Sequence, residues 1–350
     1  MQPLTRRLID EWDELADATA AGPFRRAGWV RAWWEAFGRG KLETLAVRQN
    51  GRLTAVLPLG SRFGELTSPS NWHTPDFGPI AKDERSLSKL VEALFARHPR
   101  RVSLMSLDSE TRMVALCSEL ASRHGYRVLV RTIERSPYLE VNQPWAEYQR
   151  GLSRKVRGDA KRQIRRLEEI GTLNLDVRDG AERLDELLTE GFRVEASGWK
   201  GSRGTAISSK ADTDRFYREV ARWAADQGWL RLAFLRLDEI PIAFHYSLEE
   251  AGVHYFLKGG YDSRYERFSP GKVLTYQMLS RAFSLGFARF EFLGTDDSWK
   301  LNWTSYYRER KLFHAFRASP GGLLEWTMFN YGRRAARNIV NLGPLDRLRR

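Results

Sequence analysis

Hydrophobic and polar positions change period several times along the chain, and each change marks an element. The clearest block lies in the second half. Leu230–Leu237 and Ile240–Leu248 read as strands, the Asp238-Glu239 pair between them suits a tight hairpin turn, and a third strand, Val253–Gly260, follows. Ser269-Pro270-Gly271 then opens a helix. Ser is a favoured N-cap, Pro is favoured at the first helical position, and Val273, Leu274, Met278 and Ala282 recur at helical spacing. Arg289–Leu293 alternates as one more strand. A strand that runs into a Gly-containing turn at a helix start is a ready anion site, because backbone N–H groups and the helix dipole both point outward there.

The rest of the chain reads the same way. Glu11–Ala21 and Gly28–Phe37 predict helices, the second with a core cluster of Trp29, Trp33 and Trp34. Leu42–Arg48 and Arg52–Leu59 alternate around Asn50-Gly51, a strong hairpin signal. Ser61–Ile80 is a loop rich in Pro, Gly, Ser and Asn, and a loop of this length in a compact domain is usually functional or disordered. Trp72, His73, Asp76 and Phe77 do not suit disorder, so the loop is read as a site wall, with a packed surface loop as the alternative. Helix (Leu87–Arg97), strand (Arg101–Leu107), helix (Glu110–His124), strand (Tyr126–Thr132) and a short strand near Tyr138–Val141 follow, which indicates an α/β protein with a mixed sheet. Pro144–Arg150 reads as a domain boundary. Beyond it come a strand at Thr172–Arg178, a helix at Gly180–Ala196, a flexible polar loop at Gly201–Lys210 and a helix at Thr213–Asp226. Lys311–Ala318 is the last strand. Gly321–Asn341 is a helix that turns basic at Arg333, Arg334 and Arg337, and the chain ends Arg347-x-Arg349-Arg350.

Composition adds a bound and a charge. At 350 residues, 42% hydrophobic and 29% charged, the chain suits two soluble domains. Its net charge of +13 predicts affinity for polyanions such as phosphorylated cofactors, RNA or acidic lipid. The most charged stretch is the predicted helix Leu152–Ile170. Val156, Ala160, Ile164 and Leu167 share one narrow face, and Arg154, Lys155, Arg157, Lys161, Arg162, Arg165 and Arg166 cover most of the rest. That surface faces solvent, RNA phosphates, a membrane or a cofactor's phosphates, and without interleaved aromatics or a nucleic-acid motif the charge does not choose among them. The lone Cys117 leaves no intramolecular disulfide, and Met1–Asp10 has no apolar core of signal-peptide length. The expectation is a cytoplasmic protein, able to sit peripherally on the inner face of an acidic membrane through residues 154–166 and its basic tail. The six His lie at no ligand spacing, so no metal site is expected. With no G-x-S-x-G elbow and Cys117 within a helix, covalent transfer through Ser or Cys is not indicated either.

Several short motifs recur in a fixed order: Glu195-x-x-Gly198-Trp199-Lys200, Phe216-Tyr217, Gly228-Trp229-Leu230-Arg231-Leu232 and Pro241-Ile242-Ala243-Phe244. They continue as Lys258-x-Gly260-Tyr261-Asp262, Ser269-Pro270-Gly271, Phe292-Leu293-Gly294 and Trp299-Lys300-x-x-Trp303. In this order they resemble the GNAT-like acyltransferases of the group that includes the cellulose-biosynthesis CelD proteins, relatives of the Fem-type peptidoglycan aminoacyltransferases. The N-terminal half is similar more loosely, through Trp29–Phe37 and Val56-Leu57-Pro58-Leu59. The resemblance implies tandem GNAT-like domains, 1–143 and 144–318, with a basic helical tail at 319–350. It also implies N-acyl transfer from acyl-CoA (acetyl-CoA) by direct attack. The acceptor would be an amine-bearing small molecule or envelope precursor, in envelope, polysaccharide or secondary-metabolite chemistry.

Site residues follow from the same likeness. GNAT pyrophosphate turns read Q/R-x-x-G-x-G/A. Here Gly271 keeps the first required Gly, Arg267 lies one position early, Val273 replaces the second small residue, and Ser269, Pro270 and Lys272 complete the predicted donor turn. This departure makes an aminoacyl-tRNA donor, as in Fem-type relatives, the enzymatic alternative. A degenerate scaffold that docks through its basic surfaces is the non-enzymatic one. The aromatic-Lys-x-x-aromatic motif implies a role for Lys300 at the donor phosphate or the reacting carbonyl. Tyr261 is a candidate proton donor and Asp262 is expected to orient Lys258, or, alternatively, Lys258, Tyr261 and Asp262 form a structural clamp. Glu195 and Glu291 are the candidate bases. Trp199, Lys200, His73, Asp76, Phe77 and Trp303 are expected at the acceptor side, where the resemblance also places Gly78-Pro79-Ile80.

Overall fold

The computed structural model describes residues 3–198 and 204–341, with side chains as far as 330. The chain forms two compact units. One comprises Met1–Thr19, Arg39–Ile133 and Arg310–Arg350, and the other Ala20–Gly38 and Glu134–Glu309. These are not the boundaries expected at 143 and 318. The N-terminal tryptophan helix joins the second unit because Trp29 packs edge-on against Phe216 at 5.2 Å, and the last strand joins the first unit by pairing there.

In the first unit, α1 (Arg6–Ala18) is capped by Thr5, whose hydroxyl accepts from the Leu8 N–H at 3.3 Å. β1 (Lys41–Gln49) and β2 (Arg52–Arg62) form the expected hairpin, with Asn50 at φ 51° and Gly51 at φ 78° as a type I′ turn requires. β3 (Glu65–Thr67), β4 (Ile80–Ala81), α3 (Glu84–Phe95), β5 (Arg101–Asp108) and α4 (Met113–Arg123) follow, and β6 (Tyr126–Glu140) begins in this unit and continues past Ile133 into the second. β12 (Tyr307–Arg317) pairs with β5, and α11 (Pro320–Asn341) ends the described chain. β3 and β5 are parallel, and the other pairs described in this unit are antiparallel. Leu57, Leu90, Phe95, Leu104 and Phe313 form the core between sheet and helices. β6 is continuous where two strands were expected. Pro137 lacks only a donor, and its carbonyl still accepts from the Phe292 N–H at 3.0 Å.

The second unit repeats the scheme. α2 (Ala27–Phe37), α5 (Trp145–Gly151), α6 (Arg154–Glu168), β7 (Leu173–Arg178), α7 (Leu184–Ala196) and α8 (Ala211–Asp226) lead into β8 (Leu230–Leu237), β9 (Ile240–Glu250) and β10 (Val253–Tyr261). Then come α9 (Pro270–Ser284), β11 (Arg289–Glu291) and the single turn α10 (Ser298–Leu301). Strands run in the order β11-β10-β9-β8-β7, with β10 and β11 parallel and the other pairs antiparallel. Both hairpin turns hold two residues at positive φ, Asp238-Glu239 and Ala251-Gly252. α2, α7 and α8 cover one face through Trp29, Phe192, Phe216 and Tyr217, and α5, α6 and α9 cover the other through Val156, Ala160, Leu274 and Met278. Each unit thus sets an antiparallel run before a strand–helix–parallel strand step, β3-α3-β5 in one and β10-α9-β11 in the other. This is the mixed α/β tandem that the motifs imply. No helix among the described residues is long and apolar enough to cross a membrane. Residues 342–350 lie outside the described ones, and so do the side chains of Arg333, Arg334 and Arg337.

Candidate active site

The chemistry of the second unit gathers where β10 leaves the sheet. β10 pairs with β9 out to Tyr261, but with β11 only at Val253–Tyr255. Beyond Tyr255 the two parallel strands part, and the register of β10 against β9 shifts between Phe256 and Lys258, a bulge. Among the described residues no strand lies beside that edge of β10 from Lys258 to Tyr261. An edge of this kind offers backbone N–H and C=O groups to a ligand.

Gly260 sets what lies against the edge. A Cβ at this position would come within 2.6 Å of the Glu195 Cα, so only glycine lets the end of α7 press onto the strand. Glu195 is 2% exposed, and its Oε2 accepts from the Ile207 N–H at 3.0 Å. Tyr217 of α8 is buried beside it. Burial, and then the charge of Glu195, push the Tyr217 hydroxyl well above its ordinary range. The Lys258 ammonium lies 5.7 Å from the centre of the Tyr217 ring, a cation–π contact. Glu195, Tyr217 and Lys258 therefore form one group on one face of β10. Tyr261, next along the strand, points to the other face, where its Cδ1 lies 3.3 Å from a Cβ built on Gly271 of α9. Burial, and secondarily Glu266, raise its pKa, so the phenol keeps its proton. Glu195 and Tyr261 thus flank the parted edge from opposite faces.

α9 begins at this point, with Pro270 as its first residue. The expected hydroxyl cap at Ser269 does not form. This residue sits at φ 49°, ψ 51° rather than in the extended conformation a capping side chain needs, and its carbonyl, not its hydroxyl, accepts from the N–H groups of Lys272 (3.0 Å) and Val273 (3.2 Å). The first turn carries no carboxylate, which suits an anion. Two expected contributors are placed elsewhere. Val273 is fully buried in the core, and the Lys272 ammonium is paired with Asp159 of α6. The cationic flank comes instead from Arg267 and Arg166, stacked on Phe268 at 4.7 and 5.0 Å. The start of α9 thus has guanidinium groups nearby but lacks the second small residue, and its Lys272 and Val273 N–H groups are hydrogen-bonded to Ser269.

Other candidates are held in structural pairs. Asp262 accepts from the backbone of Arg264 (3.0 Å) and from its guanidinium (2.6 Å at Nη2), which lowers its pKa, so it clamps the turn after β10 instead of orienting Lys258. Glu291 is buried and ion-paired with Arg308, with Arg289 at 3.5 Å. Lys300 is buried, and its three ammonium protons meet Leu293 O (2.8 Å), Thr295 O (2.8 Å) and Asp297 (3.1 Å). It locks the loop after β11, where Leu293 and Gly294 both sit at positive φ. Trp303 belongs to the core, packs against Tyr276 at 6.3 Å, and its carbonyl accepts from the Tyr148 hydroxyl at 2.7 Å. Trp199 and Lys200 lie outside the described residues. His73, Asp76 and Phe77 belong to the first unit. There Asp76 pairs with the buried Arg310 (2.7 Å), Phe77 is in the core with its N–H on Ser106 O (3.0 Å), and the His73 N–H donates to Asn71 (2.9 Å).

A groove of about 1110 Å³ lies between β7 and α7; its lining is predominantly acidic, and Arg236 within it pairs with Asp176 and Glu190. Among the described residues no group of His, Cys, Asp and Glu could hold a metal ion. Tyr217 is the functional candidate that the sequence reading did not single out. It enters the sequence reading only as part of the Phe216-Tyr217 motif, with no role, and the contacts with Glu195 and Lys258 bring it into this group.

Residues 154–301 match the family model described as an acetyltransferase (GNAT) domain. No curated protein matches the chain. Among solved structures, FemX is similar at 11% identity over 87% of this chain and 95% of its own, with a TM-score of 0.59. The C-terminal domain of a proposed lysylphosphatidylglycerol synthetase from Agrobacterium fabrum is similar at 11% identity, 92% and 95% coverage and a TM-score of 0.57. A protein of unknown function from Bacteroides thetaiotaomicron gives 10% identity, 91% and 100% coverage and 0.57. Likeness at such identity is a likeness of fold.

Proposed function

Because residues 154–301 form a domain of the GNAT acetyltransferase family, we propose that the second unit moves an acyl group from acyl-CoA to an amine by direct attack. The observation that carries this reading is the parting of β10 from β11 beside the start of α9. Acyl-CoA supplies an activated carbonyl on a good leaving group. The start of α9, with Arg166 and Arg267, holds its phosphates. Backbone donors along the free edge of β10 hold the carbonyl oxygen as negative charge develops there. Glu195 takes the proton that the amine nitrogen loses as the new C–N bond forms. The Tyr261 hydroxyl gives a proton to the departing sulfur as the C–S bond breaks, so atoms and charge balance. Lys258, held over Tyr217, keeps the Glu195 side of the site electrostatically neutral. The acceptor is an amine-bearing small molecule or envelope precursor.

The test is thiol release from acetyl-CoA in the presence of a panel of amines. Glu195→Gln keeps an acceptor for the Ile207 N–H, so turnover is expected to fall by about 10²- to 10⁴-fold while donor affinity stays unchanged. Unchanged turnover would remove Glu195 from the base role.

A further inference from the structure

Several arginines on or beside surface helices are paired with carboxylates three or four residues away. Arg7 has Glu11, Arg123 has Glu119, Arg183 has Glu186, Arg215 has Asp212, Arg218 has Asp214 and Arg222 has Glu219. One side of α6 has no such pairs. Arg154, Lys161 and Arg165 are exposed and fall along one side of the helix, and no ion pair is formed by them among the described residues. Asp159, the acid within this stretch, is already engaged by Lys272 and Arg162. Gly158 lies in the middle of the same side. A Cβ there would meet nothing within 4 Å, so no packing within the chain accounts for a residue that weakens a helix. The result is a cationic strip about 16 Å long, flat at its centre. It adjoins the donor turn, because the Lys272–Asp159 pair ties α6 to the first turn of α9 and Arg166 reaches the Arg267 carbonyl at 3.4 Å.

We propose that this strip docks an acidic helical carrier protein that brings the acyl thioester on a phosphopantetheine arm. The proposal rests on the reading of the second unit as a thioester-dependent acyltransferase and names the donor's carrier. An acidic helix laid along α6 sets its carboxylates against Arg154, Lys161 and Arg165 and brings its backbone close at Gly158. The arm then carries its thioester past the start of α9 to the edge of β10. The arm holds one phosphodiester where free CoA holds a diphosphate, which suits a turn whose Lys272 is engaged and whose Val273 is buried. RNA fits less well, since the strip is one helix wide and has no aromatic side chain to stack a base. A membrane fits less well too, because the apolar side of α6 faces the core and nothing apolar is left to enter the headgroups.

The experiment uses the full chain and a purified acidic acyl carrier protein in its acetylated holo form, at low salt and at 0.15 M. The wild type is expected to bind the carrier and accept its acetyl group. The triple variant Arg154→Glu, Lys161→Glu, Arg165→Glu is expected to lose at least about tenfold in carrier affinity, with acetyl-CoA affinity unchanged. Gly158→Trp, which fills the flat centre, is expected to weaken carrier binding without lowering the melting temperature. Carrier binding that is absent, or unchanged in these variants, overturns the proposal. So does loss in the triple variant of binding to single-stranded RNA or phosphatidylglycerol vesicles with carrier binding intact. Transfer from acetyl-CoA but not from the carrier defeats the docking proposal alone, whereas transfer from neither defeats the acyltransferase reading itself.

Discussion

A buried charged side chain in this protein acts by what it is already bonded to, and Lys300 shows the consequence. Its ammonium closes the loop after β11 by donating to two backbone carbonyls, so Lys300→Met leaves those acceptors unmet. Urea denaturation is expected to report a loss of about 2–4 kcal/mol, with acyl-CoA affinity unchanged; a stable variant that no longer binds donor would restore Lys300 to the active centre. The same logic gives a pH dependence. Burial tends to raise the pKa of Glu249, but hydrogen bonds from His254 and Arg281 hold it at about 2, below its ordinary 4.5. Burial lowers that of His254 below its ordinary 6.5. Both pKa values are depressed on folding, so both contributions are full at neutral pH. Stability is expected to start falling as pH drops below about 6.5 and to fall more steeply below 4.5 as pH approaches 2. Urea midpoints measured from pH 7 to pH 3 check this, and Glu249→Gln should flatten the acidic part. The motif order singled out Lys258, Gly260 and Tyr261, which lie on the stretch of β10 that parts from β11. It could not show that the charges of Asp76, Asp262 and Lys300 are each met by a partner: Arg310 is distant in sequence from Asp76, and the nearby pairs Asp262–Arg264 and Lys300–Asp297 form only once their turns are folded.

Elements were more legible than their pairing. Asn50-Gly51 and Asp238-Glu239 specify their hairpins locally, so both turns fell where the pattern set them. The sequence pattern reads two strands where β6 is continuous, and the Pro137 carbonyl keeps a ladder bond there despite the missing donor. The parting of β10 and β11 was not legible at all, since it depends on the register of two strands separated by a helix. α6 was legible as a helix with a basic outer side, whereas the absence of carboxylate partners along that side needed coordinates. Gly158→Ala tests its helix directly. The substitution is expected to raise stability by about 0.5–1 kcal/mol in urea unfolding, because Ala gives up less conformational freedom and meets no neighbour; a decrease would show that the backbone there is not an ordinary helix.

At the scale of the molecule, the chain repeats one topology in two units, and the second holds the family match and the parted edge. Unit boundaries escaped the sequence because α2 and the last strand pack with elements distant in the chain, which composition does not encode. The central claim is that the start of α9 beside that edge holds the donor. The measurement that tests it most directly is calorimetric titration of the wild type and Ser269→Asp with acetyl-CoA at moderate salt. Asp tolerates the left-handed backbone at 269 and favours a helix start, so folding is expected to be retained. A carboxylate placed there repels the donor's phosphates, and affinity is expected to fall at least about tenfold. Equal, salt-resistant binding by both proteins would place the donor elsewhere and contradict the account.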